Sequence, residues 1–426
     1  MIVNKYQKLV LGLIVLTGLC SGFDIGVISG TLPLIEQELM LSPLQLSQIA
    51  GVVFFGALIS KFISGFLMDL FGRRNTISLG SFLFAISIVL MILSQSYMSL
   101  LLSRLFQGIS VGFLLTVIPI YIAEASFVNF RGRATGIFQL SLASGIFIAN
   151  LLASLLAANY GWRLIFAFAI PLAISLLFVS FIAPFSPAWL YSKGKTALAD
   201  ETNKRLFADS QPSSSIREKI RFIDFIGALK NKTYFLQLLL ISFLTVLNGF
   251  VGINLFISYG PTIFGQVLPN LKIHASDYGS ALTLVNLLAT VVGIFFVDRV
   301  GRRKLAISGL LIAFVFTILT IIALQCDLKI IALIGIIIVV FGGAVGPAVC
   351  IWLILSEVLP IHLRGMGISI ALVSKALLES IFISSFLELV NTYGYPLIFS
   401  FMAGCMLLFA VLVYKFLPEM ANKELK

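Results

Sequence analysis

The chain has 426 residues, of which 59% are hydrophobic and only 11% are charged, and its mean hydropathy is +1.08. A water-soluble domain of this length needs far more surface charge, so the composition excludes a soluble protein and indicates an integral membrane protein. The net charge of +11 would suit a nucleic-acid-binding protein, but the placement of the basic residues argues against that class.

Apolar runs long enough to cross a bilayer follow one another along the chain. About 20 apolar residues in a helix cross a bilayer core, whereas transmembrane β-strands alternate in pieces of about ten residues. Tiling the sequence predicts twelve spans: 9–32, 46–68, 76–95, 100–122, 135–156, 163–183, 233–257, 278–297, 305–324, 330–353, 366–387 and 396–416. We therefore predict an all-α membrane protein with twelve transmembrane helices. The first run is longer than a signal-peptide core, so we expect it to be retained.

The lysines and arginines predict the orientation in the membrane. With a cytoplasmic N-terminus, 23 of the 29 fall on cytoplasmic segments; the others are Arg163, Lys272 and Lys329 at the outer face and Lys61, Arg104 and Lys375 inside spans. This positive-inside bias predicts that both termini are cytoplasmic. Because topology explains the basic charge, we expect no nucleic-acid partner. The short tails and short outer loops favour a bacterial inner membrane.

Two halves of the sequence repeat on either side of a polar stretch. "GFLMDLFGRR" (65–74) returns as "GIFFVDRVGRR" (293–303), with Asp298 placed 229 residues after Asp69, and the Glu124 motif returns at Glu357 after 233 residues. We predict an N-terminal six-helix bundle at 1–183, a cytoplasmic linker at 184–232 with short amphipathic helices, and a C-terminal bundle at 233–426. The linker piece 217–232 is amphipathic enough to lie on the inner leaflet. A duplicated six-span unit is typical of transporters that rock two halves about a central site.

The repeated motifs supply charges at the cytoplasmic ends of helices. Ion pairs between helices there would latch a cytoplasmic gate while the outer side is open, although the arginines could serve as membrane anchors only. The predicted gate residues are Asp69, Arg73, Arg74, Glu124, Arg131, Asp298, Arg302, Arg303, Glu357 and Arg364.

Several motifs together resemble the sugar porter family of the major facilitator superfamily over nearly the whole chain. They are "GFDIGVISG" (22–30), the two repeated loop motifs, the stretch 119–146, "GINLFISYGPTIF" (252–264) and "SEVLPIHLRGMGISIA" (356–371). The resemblance implies the two-bundle fold of that superfamily and proton-coupled transport of a sugar or polyol. The linker motif "PFSPAWL" (184–190) departs from the family, because Phe185 stands where glutamate is common and Ala188 where arginine is common. Those departures weaken the inferred gate and leave the fold unaffected.

A carboxylate inside the first span predicts a buried partner. Asp24 lies about 12 Å and Arg104 about 7 Å from the outer ends of their spans at 1.5 Å per residue, so the two side chains are at comparable depths. An isolated charge in a span is costly, and a pair facing the bundle interior is expected. In proton-coupled sugar porters an acid and an arginine occupy the matching positions, which implies that Asp24 binds the proton and Arg104 tunes it. A static ion pair joining spans one and four is the alternative.

The resemblance also implies a set of substrate-binding residues. Family positions carry over to Gln139, Asn254, Asn286 and Trp352, and Asn248 and Tyr259 lie where the seventh-helix motif places polar groups. Hydroxyl groups of a sugar must exchange water for protein hydrogen bonds, which amide and aromatic side chains provide. Each of these residues could instead make an inter-helix contact only.

Span eleven departs from the family with two charged residues. Where a tryptophan and an asparagine are usual, this chain has Ala376 and Glu379, and Lys375 precedes them. Lys375 and Glu379 share one helical face at a spacing of four residues. They could form a structural buried pair or a charged wall of the binding site. Because of this departure, a pentose, a polyol or a charged sugar derivative fits at least as well as glucose.

Other classes of function have little support. His274 and His362 fall on opposite sides of the membrane, no phosphate-binding loop occurs, and we expect no enzyme activity, cofactor or metal. Passive facilitation, proton-driven export, transport of a non-sugar solute and a transporter-like sensor stay open as alternatives. We expect a monomer in the lipid bilayer whose partners are a small solute and protons.

Overall fold

The computed structural model describes residues 4–127, 130–207, 231–268, 275–351 and 361–416, with no side chains described at 157, 275, 298 and 361–366. Every regular element in these ranges is helical, so the predicted all-α class is confirmed. The residue contacts divide the chain into two compact units: Met1–Val27 with Val52–Glu218, and Ile28–Gly51 with Lys219–Lys426.

The first unit consists of the transmembrane helices of the N-terminal part and the start of the linker. Its helices are α1 (Lys5–Leu39) and α2 (Pro43–Phe71), both shared with the second unit, α3 (Arg73–Leu93), α4 (Tyr97–Ala125), α5 (Arg131–Ala167), α6 (Ala169–Ile182), α7 (Pro187–Ser192) and α8 (Thr196–Phe207). The last two lie in the predicted linker, as short helices. The amphipathic piece 217–232 falls almost wholly outside the described residues.

The second unit contains the remaining helices and the connection between α1 and α2. Its helices are α9 (Lys232–Phe250), α10 (Ile253–Val267), α11 (Ala275–Val300), α12 (Arg302–Gln325), α13 (Lys329–Gly343), which continues into a π-helical turn (Ala344–Ala348), and α14 (Ile361–Phe416). The α1–α2 connection is held by hydrogen bonds to α14: the Leu387 N–H donates to Ser47 Oγ at 3.1 Å, and Ser380 Oγ donates to the Gly51 carbonyl at 3.1 Å. The predicted boundaries at 183 and 233 follow the sequence repeat and stay a prediction.

Eleven helices in the described ranges are long and apolar enough to cross a membrane. The last of them, Gly367–Phe416, has 50 residues and is broken at Gly394, where φ is 77°. Each side of this break has the length of one crossing, about 20 residues. The chain is a multi-pass membrane protein, while the count of twelve spans and the cytoplasmic termini stay predictions.

The sequence repeat is also visible in the backbone. Gly72 (φ 85°) and Gly301 (φ 95°) precede α3 and α12, and Gly161 (φ 76°) and Gly394 (φ 77°) interrupt α5 and α14. The members of each pair are separated by the same 229 or 233 residues as the charged motifs. Residues with a side chain rarely adopt positive φ, so glycine is required at these breaks. Both halves of the sequence therefore turn at corresponding positions.

Helices α1 and α5 pack backbone against backbone through a row of glycines. A Cβ atom placed on Gly22 would lie 2.0 Å from the Leu142 carbonyl oxygen, and one on Gly26 would lie 2.4 Å from the Ile146 carbonyl oxygen. Small residues four apart allow such close approach of membrane helices. At 3.6 residues per turn, Asp24 lies about 200° around α1 from Gly22. The glycine contact therefore turns Asp24 away from α5.

We predict that Gly22→Ala lowers the melting temperature of the purified protein, since forcing a methyl group into a packed contact costs about 1–3 kcal/mol. Gly12→Ala is the matched control in the same helix, because nothing lies within 4 Å of a Cβ atom there. Thermal unfolding of both variants in detergent measures the difference. Equal melting temperatures would show that the α1–α5 contact is loose.

Candidate functional site

Asp24 and Arg104 meet inside the first unit. Arg104 Nη1 donates a hydrogen bond to Asp24 Oδ1 at 3.1 Å. Asp24 is 0% exposed and Arg104 is 1% exposed. The other carboxylate oxygen, Oδ2, is buried and has no hydrogen-bond partner among the described residues. The contact joins α1 to α4 and uses one oxygen of the carboxylate.

A glutamine that the sequence analysis did not single out completes this cluster. Gln107 is 1% exposed, and its Oε1 accepts a hydrogen bond of 2.7 Å from the same Arg104 nitrogen that contacts Asp24. Gln107 follows Arg104 by three residues, which places both on one face of α4. This spacing from Arg104 is the feature of the sequence that could have identified Gln107. Arg104 therefore contacts one charged acceptor and one neutral acceptor.

At the predicted cytoplasmic end of the first unit, Glu124 lies between an arginine and a serine. Arg73 Nη2 donates to Glu124 Oε1 at 2.9 Å, and Arg73 Nε lies 2.9 Å from Oε2. Ser186, at the start of α7, donates to Oε2 at 2.5 Å. The structure thus brings together two of the predicted gate residues and ties the linker to the end of α4.

The linker is held to the same end by aromatic packing. The Phe185 and Trp189 rings stack at a centroid distance of 6.0 Å, and the Arg74 guanidinium lies 4.4 Å from the Phe185 ring centre. Trp189 Nε1 donates to the Asp69 carbonyl at 3.1 Å. Phe185 therefore gives Arg74 a cation–π contact at the position where the family commonly has a carboxylate.

The remaining gate residues are described less completely. Arg303 stacks over Tyr414 at 5.0 Å and donates to its carbonyl, while Arg131 and Arg302 are partly buried. Glu357 and the side chains of Asp298 and Arg364 lie outside the described residues.

In the second unit, two charged residues of α14 each contact an asparagine. Lys375 Nζ donates to Asn248 Oδ1 of α9 at 3.1 Å, and Asn254 Nδ2 of α10 donates to Glu379 Oε1 at 2.8 Å. The structure describes no ion pair between Lys375 and Glu379, so their spacing of four residues does not make them direct partners. Glu379 is 6% exposed and Lys375 is half-buried.

A break between α9 and α10 positions the two asparagines. Gly252 adopts the left-handed conformation (φ 87°, ψ 11°) at the start of α10, which only glycine adopts without strain. Asn248 and Asn254 stand on opposite sides of this break, and each contacts a different turn of α14. The local backbone therefore decides which charge each amide meets.

The other predicted substrate-binding residues are distributed over both units. Tyr259 is buried, donates to the Ile383 carbonyl at 2.7 Å and stacks on Phe386. Asn286 is 6% exposed on α11, and Gln139 is half-buried on α5 of the first unit. Trp352 lies outside the described residues.

A repeat in sequence and backbone, with buried charges inside helices of membrane-spanning length, is typical of membrane transporters. The family model described as "Sugar (and other) transporter" matches residues 10–426, and the chain belongs to this family.

Its curated relatives are bacterial transporters. The glucose transporter GlcP of Staphylococcus epidermidis is 30% identical, with 99% of this chain and 96% of GlcP covered. The arabinose-proton symporter of Bacillus subtilis is 29% identical, with 96% and 92% covered, and the galactose-proton symporter of Escherichia coli strain K12 is 28% identical, with 96% and 91% covered.

A solved structure of similar fold is the partially occluded, inward-open xylose transporter XylE of Escherichia coli. It has a TM-score of 0.83 at 23% identity, with 99% of this chain and 100% of that chain covered. The predicted family and its superfamily fold are therefore confirmed.

We predict that Glu124→Gln lowers the melting temperature of the protein. The variant replaces a charge-assisted contact at a partly buried site, where the side chain of Arg73 is 17% exposed and that of Glu124 is 14% exposed. Hydrogen bonds to charged groups contribute about 1.5–3 kcal/mol. Glu201→Gln is the matched control, because its pair with Arg205 is about half exposed and surface pairs contribute about 0–1 kcal/mol. If both variants have the melting temperature of the wild type, the Arg73–Glu124 contact does not stabilise this end of the unit.

Proposed function

We propose that the protein is a proton-coupled symporter that moves a sugar or polyol across the inner membrane of a bacterium by alternating access. The observation that carries this proposal is the buried Asp24–Arg104 contact, in which one carboxylate oxygen is without a partner among the described residues. Membership of the sugar transporter family and the two proton symporters among the relatives support it.

The geometry around Asp24 suggests how a proton is coupled to movement of the solute. A carboxylate beside a guanidinium is favoured in its charged form, and burial without that neighbour favours the neutral acid. A conformational change that draws Arg104 away would therefore favour protonation at Oδ2. Gln107 supplies an acceptor for Arg104 in that state, so the arginine keeps a buried partner while Asp24 is neutral.

The remaining parts of the proposal follow from the predicted residues. Amide and hydroxyl groups of Gln139, Asn254, Tyr259 and Asn286 would bind the solute, with Trp352 as the aromatic surface. The cytoplasmic contacts around Glu124 would break as the inner side opens and re-form as it closes. We propose that the protein works as a monomer, with both termini in the cytoplasm.

We predict that Asp24→Asn abolishes proton-coupled accumulation while exchange of solute across the membrane persists. In lightly buffered vesicles, a transported pentose, hexose or polyol should make the medium more alkaline through the wild type only. Recording external pH together with uptake of labelled solute measures both effects.

Asp277→Asn, which changes an exposed acid at the start of α11, is the matched control and should behave as the wild type. Accumulation by Asp24→Asn against a gradient would show that Asp24 is a structural charge. If labelled solute enters through the wild type without any movement of protons, the protein is a passive facilitator.

A further inference from the structure

Lys375 is a cation with spare hydrogen-bonding capacity inside a membrane-spanning helix. Its ammonium group has three N–H donors, and among the described residues it contacts one acceptor, the neutral Oδ1 of Asn248. A cation in such a segment is costly unless an anionic or strongly polar group neutralises it. Glu379 does not pair with it directly, so two donors and the positive charge are available to a solute.

Asn248 adds a second donor beside the ammonium group. An ammonium group can only donate, so the amide oxygen of Asn248 faces Lys375 and the amide nitrogen faces away from it. Asn248 is 8% exposed, and its amide nitrogen is buried without a hydrogen-bond partner among the described residues. Leaving a buried donor unsatisfied is unfavourable, and a ligand that accepts a hydrogen bond from it removes that cost.

Gly249 places bare backbone next to these donors. A Cβ atom placed on Gly249 would lie 3.5 Å from Lys375 Cε and 3.7 Å from the carboxylate carbon of Glu379. Both charged side chains therefore extend over a residue that has no side chain of its own. A larger residue at 249 would fill the space beside them.

We propose that this cluster, Lys375, Asn248 and Glu379, binds a sugar acid, meaning a polyhydroxylated solute with one carboxylate. The inference rests on the proposed function and names the class of solute that the second unit accepts. The carboxylate accepts hydrogen bonds from Lys375 and from the Asn248 amide nitrogen. Glu379, fixed by Asn254 at 2.8 Å, accepts hydrogen bonds from the hydroxyl groups.

The charge of such a solute changes the electrical character of transport. A sugar carboxyl is ionised at neutral pH, as ordinary carboxyl groups are. One proton moving with one monoanion transfers no net charge, whereas one proton moving with a neutral sugar transfers one positive charge. Uptake of the acid therefore responds to a pH gradient and is insensitive to the membrane potential.

The test uses the full-length protein in proteoliposomes with labelled glucuronate and labelled glucose as probes. A pH gradient and a potassium-valinomycin potential are imposed separately. We expect glucuronate to be accumulated under the pH gradient, with no change when the potential is varied. Lys375→Met should raise the concentration of glucuronate needed for half-maximal uptake by about 10- to 100-fold, the size of one charge-assisted contact.

Two further variants keep the test decisive. Asn248→Asp retains the contact with Lys375 and places a negative charge where the carboxylate would bind, so it should weaken glucuronate uptake by at least about tenfold. Lys329→Met is the matched control, because Lys329 lies at the start of α13 in an exposed contact with Asp327. It should leave uptake unchanged.

The outcomes separate this inference from the proposed function. Glucose uptake that responds to both gradients, without glucuronate uptake, overturns the inference and retains the proton-coupled sugar transporter. Glucuronate uptake that Asn248→Asp and Lys375→Met leave unaltered also overturns it. Failure of every sugar and sugar acid to enter overturns the proposed function and the inference together.

Discussion

A charge inside an apolar helix has to meet a partner, and in the first unit that requirement determines how α1 faces α4. Asp24 and Arg104 are almost completely buried and contact each other at 3.1 Å. Removing one partner of a buried pair typically costs about 3–5 kcal/mol, because the other charge is left without compensation. The glycines on the opposite face of α1 act together with this contact, since they hold α1 against α5 and turn Asp24 toward α4.

The second unit meets the same requirement in another way. Lys375 and Glu379 contact asparagines rather than each other, so their charges are only partly compensated by neutral dipoles. A polar group in a low-dielectric environment interacts strongly with whatever enters its surroundings. The first unit thus contains a direct ion pair, whereas the charged side chains of the second unit contact neutral amides.

Much of the fold follows from the sequence because membrane helices are dictated by length and hydropathy. Most predicted spans lie within helices where the chain is described, although 76–95 runs two residues past the end of α3 and 233–257 crosses the break at Gly252. Asp24 and Arg104 meet because comparable depth restricts their choice of partner. The contacts of Lys375 and Glu379 could not be predicted in this way, since the break at Gly252 decides which amide reaches α14. Ser186 and Gln107 were missed for a related reason: neutral polar residues can be satisfied by many neighbours, and only the packed structure selects one.

The position of Trp189 has a spectroscopic consequence. The chain has three tryptophans, and this one is 8% exposed, stacks on Phe185 and lies against Gly72 at the junction of α2 and α3. The wavelength of its indole emission depends on how far water reaches the ring. A change in that emission would report whether α7 stays docked on the first unit during transport, with no added label.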